Sequence, residues 1–128
     1  MKISLLLQSA PSSQSHTSAL RFANAAIAAG HEIYRVFFYQ DACYAASELN
    51  CPPQDEINLH AAWKTLAEKH NIDLVVCIAA ALKRGILDQA EASRYSKAQF
   101  NVQAPFELSG LGQLLDAQIN SDRMVSFA

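Results

Sequence analysis

Several features that would place the protein in a special class are scarce or missing. The three cysteines form no Cys-x-x-Cys pair and cannot all be bonded within one chain, which favours a reducing compartment. The longest apolar run, 74–82, has nine residues, whereas a membrane-spanning helix needs roughly 20. Ten Lys and Arg stand against twelve Asp and Glu, without the basic excess of a protein that binds nucleic-acid backbones. These absences exclude a membrane span and disfavour direct nucleic-acid binding.

The first residues resemble a short signal peptide but do not complete one. Lys2 precedes an apolar stretch that Ser4 interrupts and Gln8 ends, before a normal hydrophobic region has accumulated. The stretch is therefore interpreted as a first strand, and the protein is expected in the cytoplasm. Its 128 residues, 51% of them apolar, suit one domain over 1–128.

Apolar patterning predicts alternating strands and helices. Strands are expected at 2–8, 32–39, 73–78 and 124–127, and helices from Ser15 to Gly30, from Asp55 to His70, from Asp88 to Arg94 and after Ser109. Segment 40–54 contains the breaker pair Pro52 and Pro53 and is expected to be mainly loop, with a helical turn around 44–49. The strand at 73–78 is apolar without alternation, which is typical of parallel sheets. The pattern predicts a three-layer α/β/α fold whose four- or five-stranded sheet is mostly parallel.

Cys77 is the outstanding candidate for chemistry. It ends a buried strand and precedes an alanine-rich turn that Gly85 closes. Open parallel sheets carry their functional groups at the carboxyl ends of the strands, and a thiol at the start of a helical turn is favoured as the nucleophilic thiolate by unpaired amide groups. The alternative from the residues alone is a small apolar side chain buried in the core.

Other reactive residues give weaker signals. Lys83 and Arg84 could form a basic rim that stabilises a thiolate or attracts an acidic partner, or could simply be a solvated helix end. Cys43 and Cys51 lie in the long loop with no base or helix start beside them in sequence, and no role is assigned to them.

Metal and nucleotide sites are not favoured by the motifs. The four histidines lack metal-ligand spacing, so no metal is expected. Gly110 and Gly112 follow Ser109 in a pattern that could bind an anion, but the P-loop lysine is missing, and a plain helix cap is the simpler interpretation.

Five segments together resemble the DsrE/TusD family of sulfur relay proteins, nearly end to end. They are GHEIYRVFFYQD (30–41), VVCIAAALKRGILD (75–88), EASR (91–94), FELSGLGQLLDA (106–117) and SDRMVSF (121–127). The second segment, with its cysteine between a strand and an alanine-rich turn, is the most specific of the five.

The resemblance implies a sulfurtransferase that relays persulfide sulfur through Cys77 between an upstream and a downstream carrier protein. In the TusD branch the relay serves 2-thiolation of the wobble uridine of certain tRNAs, and in the DsrE branch it serves dissimilatory sulfur oxidation. Family members assemble with two smaller homologous subunits into a heterohexamer. A persulfide is held by the side chain itself, so no cofactor is expected.

Three alternatives remain open at this level. The relay could belong to sulfur oxidation instead of tRNA thiolation, and nothing in one chain separates the two. The chain could be a non-catalytic scaffold subunit in which Cys77 is only core. The glycines after Ser109 could bind a nucleotide, which the absence of a thermal shift with common nucleotides would exclude.

Overall fold

The computed structural model describes all 128 residues and contains one five-stranded sheet. The strands are β1 (Lys2–Leu7), β2 (Glu32–Phe38), β3 (Asp73–Cys77), β4 (Phe106–Ser109) and β5 (Arg123–Phe127). The helices are α1 (Gln14–Ala28), a 3₁₀ helix (Gln40–Ala46), α2 (Leu59–His70), α3 (Ile78–Leu82), α4 (Gln89–Arg94) and α5 (Gly112–Asn120). None of the helices combines the length and apolar character needed to cross a lipid bilayer.

Every strand pairing is parallel, in the order β4-β3-β2-β1-β5. The carboxyl ends of all five strands therefore lie at one edge of the sheet. Helices cover both faces, and α1 packs beside α2 while α5 lies against β1, β2 and β5. The predicted α/β fold class with a parallel sheet is confirmed.

A cluster of aromatic rings fills the core behind the carboxyl ends of the strands. Phe38 packs edge-on against Trp63 at 5.8 Å between ring centroids, and against Phe106 at 5.7 Å. His16 is completely buried beside them and stands 6.1 Å from the Trp63 ring. The cluster ties α1 and α2 to the sheet, and the strand ends that it supports are held in fixed positions.

A bulge in β2 builds an ionic network on the α5 side of the sheet. In the pairing of β1 with β2, Tyr34 has no partner residue. This bulge allows the consecutive residues Tyr34 and Arg35 to contact the same carboxylate, that of Asp116. Buried Arg35 pairs with Asp116 at 2.7 Å and with Asp73 at 3.0 Å, and the Tyr34 hydroxyl donates to Asp116. The hydrogen bond from Arg35 lowers the pKa of Asp116, and the network fixes α5 against β2 and β3.

One strand and several helix starts differ from the sequence expectations. Ser109 does not begin a helix but ends β4, and the helix starts at Gly112. The four-residue strand FELS lies at an edge of the sheet, and so short a segment gives little periodic signal. In the long loop the helical turn lies earlier than expected, at Gln40–Ala46.

Helix caps also shift by a few residues. Ser13 caps α1 in place of Ser15, whose amide donates to the Ser13 hydroxyl at 3.2 Å. Asn58 caps α2, so the helix begins after the acidic pair at 55–56. The expected cap at Asp88 is present, since its carboxylate accepts from the Glu91 amide at 2.9 Å.

Buried His16 makes the stability of the fold depend on pH. Its Nδ1 lies 2.9 Å from the Ser9 carbonyl oxygen and its Nε2 lies 3.0 Å from the Trp63 Nε1 donor, so Nε2 must be an unprotonated acceptor. Burial lowers the pKa of His16 below its ordinary value of 6.5. The unfolded chain therefore takes up the proton first as the pH falls.

We expect neutral His16 to contribute fully to the free energy of unfolding at pH values above 6.5, the ordinary pKa of histidine. This contribution is lost as the pH falls from 6.5 toward the lower pKa that His16 has in the folded protein. Urea unfolding at about pH 7.5, 6.5 and 5.5 measures the slope, with the variant His16→Gln as control, since an amide can bond the same partners without titrating. Equal slopes in the variant and the parent chain would contradict this assignment.

Candidate functional site

A cavity of about 320 Å³ opens where β2, β3 and β4 end. Its lining includes Gln40, Cys77, Lys83, Arg84, Gly110 and Leu111. The three residues singled out from the sequence, Cys77, Lys83 and Arg84, are thus brought to one cavity. This is the position at which open parallel sheets place their functional groups.

Cys77 is at once the last residue of β3 and the N-cap of α3. Its backbone is extended, with φ −60° and ψ 115°, and its thiol makes no capping hydrogen bond. The residue is only 3% exposed, so access to the thiol is through the cavity that it lines. Burial of this kind protects a reactive sulfur from bulk solvent.

The turn after Cys77 is fixed by its own hydrogen bonds. Gly85 has φ +72°, a left-handed conformation that glycine adopts without strain. It allows the Ile86 amide to bond back to the Ala81 carbonyl at 2.9 Å, which closes α3. The expected glycine stop is confirmed, and it places Lys83 and Arg84 beside the thiol cavity.

The two basic residues of the rim differ in freedom. Arg84 is held by Asp41 at 3.0 Å and by the Ala80 carbonyl at 3.0 Å. Lys83 is exposed and forms no ion pair. Lys83 is consequently the free cation of the cavity, while Arg84 joins α3 to the 3₁₀ helix.

Cys43 lies directly behind Cys77, although the two are distant in sequence. It is completely buried, and its thiol faces the Phe38 carbonyl at 3.6 Å and the Cys77 carbonyl at 4.0 Å. The pKa of the Cys43 thiol is raised to about 12, mainly because the thiol is buried and to a smaller extent because of the charge of neighbouring Cys77. Cys43 is therefore a neutral packing residue with a weak S–H donor.

We expect Cys43 to remain an unmodified thiol in the folded protein. A thiol with a pKa of about 12 is almost entirely protonated at neutral pH, and the thiolate is the reactive form. Mass spectrometry after treatment with excess iodoacetamide checks this, and denaturant supplies the control in which Cys43 becomes labelled. Labelling of Cys43 in the native protein at the rate of exposed Cys51 would show the assignment to be wrong.

Cys51 belongs to a different surface. It is exposed and lines a cavity of about 610 Å³ formed by the β1–α1 loop and segment 44–59, together with Tyr44 and Ile57. That cavity is larger than the one at Cys77, but their lining residues do not overlap. The structure does not bring Cys51 into the Cys77 cavity.

Two lining features were not foreseen from the sequence. The sequence pattern suggests Gly110 only for a nucleotide site or a helix cap, yet Gly110 and the following Leu111 line the cavity. Gln40 was counted among loop residues, yet it lies at the same cavity with a left-handed backbone, φ +51°. Gly110 and Leu111 reach the cavity because they follow β4, a strand that the sequence pattern did not indicate. Gln40 reaches it because of its positive φ, which is not predictable from a glutamine in the sequence.

The family model described as DsrE/DsrF-like family matches residues 1–127. The chain belongs to the DsrE/DsrF-like family. This membership confirms the family resemblance that the five sequence segments indicated.

The chain matches two relatives over nearly their full lengths. The chain is 51% identical over 127 residues to a protein of Pseudomonas aeruginosa PAO1 named "Sulfurtransferase TusD homolog", covering 99% of this chain and 97% of that one. It is 47% identical over 128 residues to a protein of Allochromatium vinosum named "Putative sulfurtransferase DsrE", covering 99% of this chain and 98% of that one.

A solved structure shares the architecture. The crystal structure of the ychN protein from Escherichia coli superposes with a TM-score of 0.77 over 99% of each chain, at 19% identity. At that level of identity the likeness concerns the fold, and it agrees with the parallel sheet and two-sided helical cover described above.

Proposed function

We propose that this member of the DsrE/DsrF-like family is a sulfurtransferase that relays persulfide sulfur through Cys77. The observation that carries the proposal is the placement of Cys77 at the end of β3, where it is buried and lines a cavity with a free lysine at its rim. The names of the two relatives support sulfur transfer as the activity. The proposal joins a positioned nucleophile to a family whose members are named for that chemistry.

The relay consists of two displacements at sulfur. The Cys77 thiolate attacks the outer sulfur of a donor persulfide, the donor S–S bond breaks, and the donor leaves as a thiolate. An acceptor thiolate then attacks the outer sulfur now carried on Cys77, and Cys77 leaves as a thiolate. Each step forms one S–S bond and breaks one, so there is no net oxidation and the side chain alone holds the intermediate.

Lys83 favours the anionic partners of this reaction. Its ammonium group is exposed and unpaired at the cavity rim, where the approach of thiolates and persulfide anions is aided by positive charge. Arg84 has its charge partly neutralised by Asp41. Of the two rim residues proposed to bind the partner, Lys83 is therefore assigned the electrostatic contribution and Arg84 the positioning of α3.

We assign the relay to 2-thiolation of the tRNA wobble uridine, in the cytoplasm, through carrier proteins and without direct contact to the tRNA. The relative at 51% identity bears the TusD name, which favours this branch. The second candidate is the same relay in sulfur oxidation, which the relative named DsrE favours. The two candidates share the chemistry at Cys77 and differ in the carriers on either side.

The chain is also proposed to act within a heterohexamer with two smaller homologous subunits. Leu111, the N-cap of α5, is followed at four-residue spacing by Leu115 and Ile119 within the helix, and the three are 51%, 62% and 72% exposed. Exposed apolar stripes of this kind are typical of protein interfaces. The stripe begins at the cavity lining, so a subunit seated there would also border the thiol.

The test is to incubate the purified protein, alone and with the two homologous subunits, with a persulfidated donor protein. Mass spectrometry without reduction then shows which cysteine has gained a sulfur atom. We expect the atom on Cys77 and on neither Cys43 nor Cys51. A complex that passes sulfur while Cys77 stays a plain thiol would identify this chain as a scaffold subunit and overturn the proposal.

A further inference from the structure

Gln40 stands in a backbone conformation that side chains rarely adopt. It is the first residue after Tyr39 at the end of β2, with φ +51°. Left-handed backbone is unfavourable for residues that carry a Cβ, and a glycine would fit there without strain. A glutamine at this position lowers the stability of the fold relative to glycine.

Hydrogen bonds on both sides prevent the strain from relaxing. The Tyr39 amide continues the sheet by bonding to the Leu7 carbonyl at 2.8 Å, and the Tyr39 carbonyl accepts from the Ala42 amide at 3.1 Å. The next residue, Asp41, is paired with Arg84. The chain must therefore turn sharply at Gln40.

The other non-glycine residues with positive φ have ordinary explanations. Asn71, at φ +54°, ends α2 and its amide bonds back to Ala67, and asparagine is common in this role. Ser96, at φ +57°, lies in the turn that follows α4, where its amide bonds to Ser93. Gln40 follows a strand, so helix termination does not account for it.

The side chain of Gln40 is available for a ligand. The residue is exposed, lines the Cys77 cavity, and its amide group takes part in no hydrogen bond of the chain. A primary amide has two N–H donors. The terminal sulfur of a persulfide is an anion when ionised, and such an anion accepts hydrogen bonds that a neutral thiol accepts only weakly.

We propose that the Gln40 amide donates a hydrogen bond to the outer sulfur of the Cys77 persulfide and so stabilises the loaded state of the carrier. The inference rests on the proposed relay. The outer sulfur stands about 2 Å beyond the Cys77 sulfur, within the cavity that both residues line. The bond exists in the loaded state and not in the empty one, so it shifts the loading equilibrium toward Cys77.

The experiment measures the equilibrium constant for loading Cys77 with glutathione persulfide, which releases glutathione thiolate, together with the melting temperature. For Gln40→Gly we expect a melting temperature higher by a few degrees, because the strain is relieved, and a loading constant lower by roughly tenfold, because a hydrogen bond to an anion is lost. Ser96→Gly is the matched control, expected to raise the melting temperature with loading unchanged.

Gln40→Glu separates hydrogen bonding from shape. It keeps the size of the side chain but replaces the donor by a carboxylate, so we expect weaker loading and a pH profile of loading shifted to higher pH. Because the carboxylate shifts that profile through its charge alone, the deciding quantity is the loading constant of Gln40→Gly, which a purely structural role for Gln40 would leave equal to that of the parent chain. Equal loading in the parent chain, Gln40→Gly and Gln40→Glu would overturn the inference, whereas a parent chain that gains no sulfur on Cys77 would instead refute the relay itself.

Discussion

The variant Cys77→Ser is expected to lose sulfur uptake completely, below roughly one thousandth of the rate of the parent chain, while it folds and assembles normally. A serine hydroxyl is not ionised at neutral pH and cannot displace a thiolate from a persulfide. Serine is nearly the same size as cysteine and can occupy the 3% exposed site at the end of β3 without opening a cavity. The large effect on transfer should therefore come without a comparable effect on stability.

Single-turnover transfer from a labelled persulfide donor measures the loss, and gel filtration with the homologous subunits checks the assembly. The matched controls are Cys43→Ser and Cys51→Ser, since one alters a buried thiol beside the site and the other an exposed thiol away from it. Both controls should retain most of the transfer. Normal sulfur flow in Cys77→Ser would assign the chemistry to another subunit.

The variant Trp63→Ala is expected to lower the free energy of unfolding by roughly 3 to 5 kcal/mol. Trp63 is completely buried and packs between His16 and Phe38. Its removal leaves a cavity in the centre of the aromatic cluster and deprives His16 Nε2 of its donor at 3.0 Å. A loss of this size is a large fraction of the stability of an ordinary domain.

Trp63→Phe reduces the cavity contribution, because it keeps one buried aromatic ring and removes the five-membered ring that carries the N–H donor. We expect this variant to lose about 1 to 3 kcal/mol, the usual penalty for an unpaired buried acceptor. Urea unfolding of both variants gives the comparison, and Phe100→Ala serves as an exposed aromatic control, since that ring is 37% exposed. Equal stability of Trp63→Phe and the parent chain would show that the His16 bond contributes nothing.

The parallel sheet and the position of Cys77 could be predicted from the sequence because both depend on local apolar content. The unbroken apolar run in β3 and the glycine after α3 carry that information directly in the residues 73–85. The position of Cys77 follows, since a cysteine at the end of a buried parallel strand must lie at the carboxyl edge.

The remainder of the site depends on long-range packing that no local pattern encodes. Arg84 pairs with Asp41, which lies 43 positions away in the sequence. The thiol of Cys43 approaches the carbonyl of Cys77, which lies 34 positions away. The left-handed turn at Gln40 results from anchoring on both sides, and β4 is too short to be periodic. These features appear only when the strands are assembled.

The pairing of β1 with β5 has a consequence for how the protein is made. Ile3 lies opposite Arg123, and the pairing continues to Leu7 opposite Phe127, so the first strand meets the last across nearly the whole chain. Contacts of such high sequence separation slow folding, because a long loop must close before they form. During synthesis, β1 to β4 can begin to associate while the carboxyl edge that holds Cys77 forms, but one side of β1 stays unpaired until β5 has emerged. Until then β1 is an open edge that can pair with another chain, and β5 covers it, so that the edges of the finished sheet are the short strands β4 and β5.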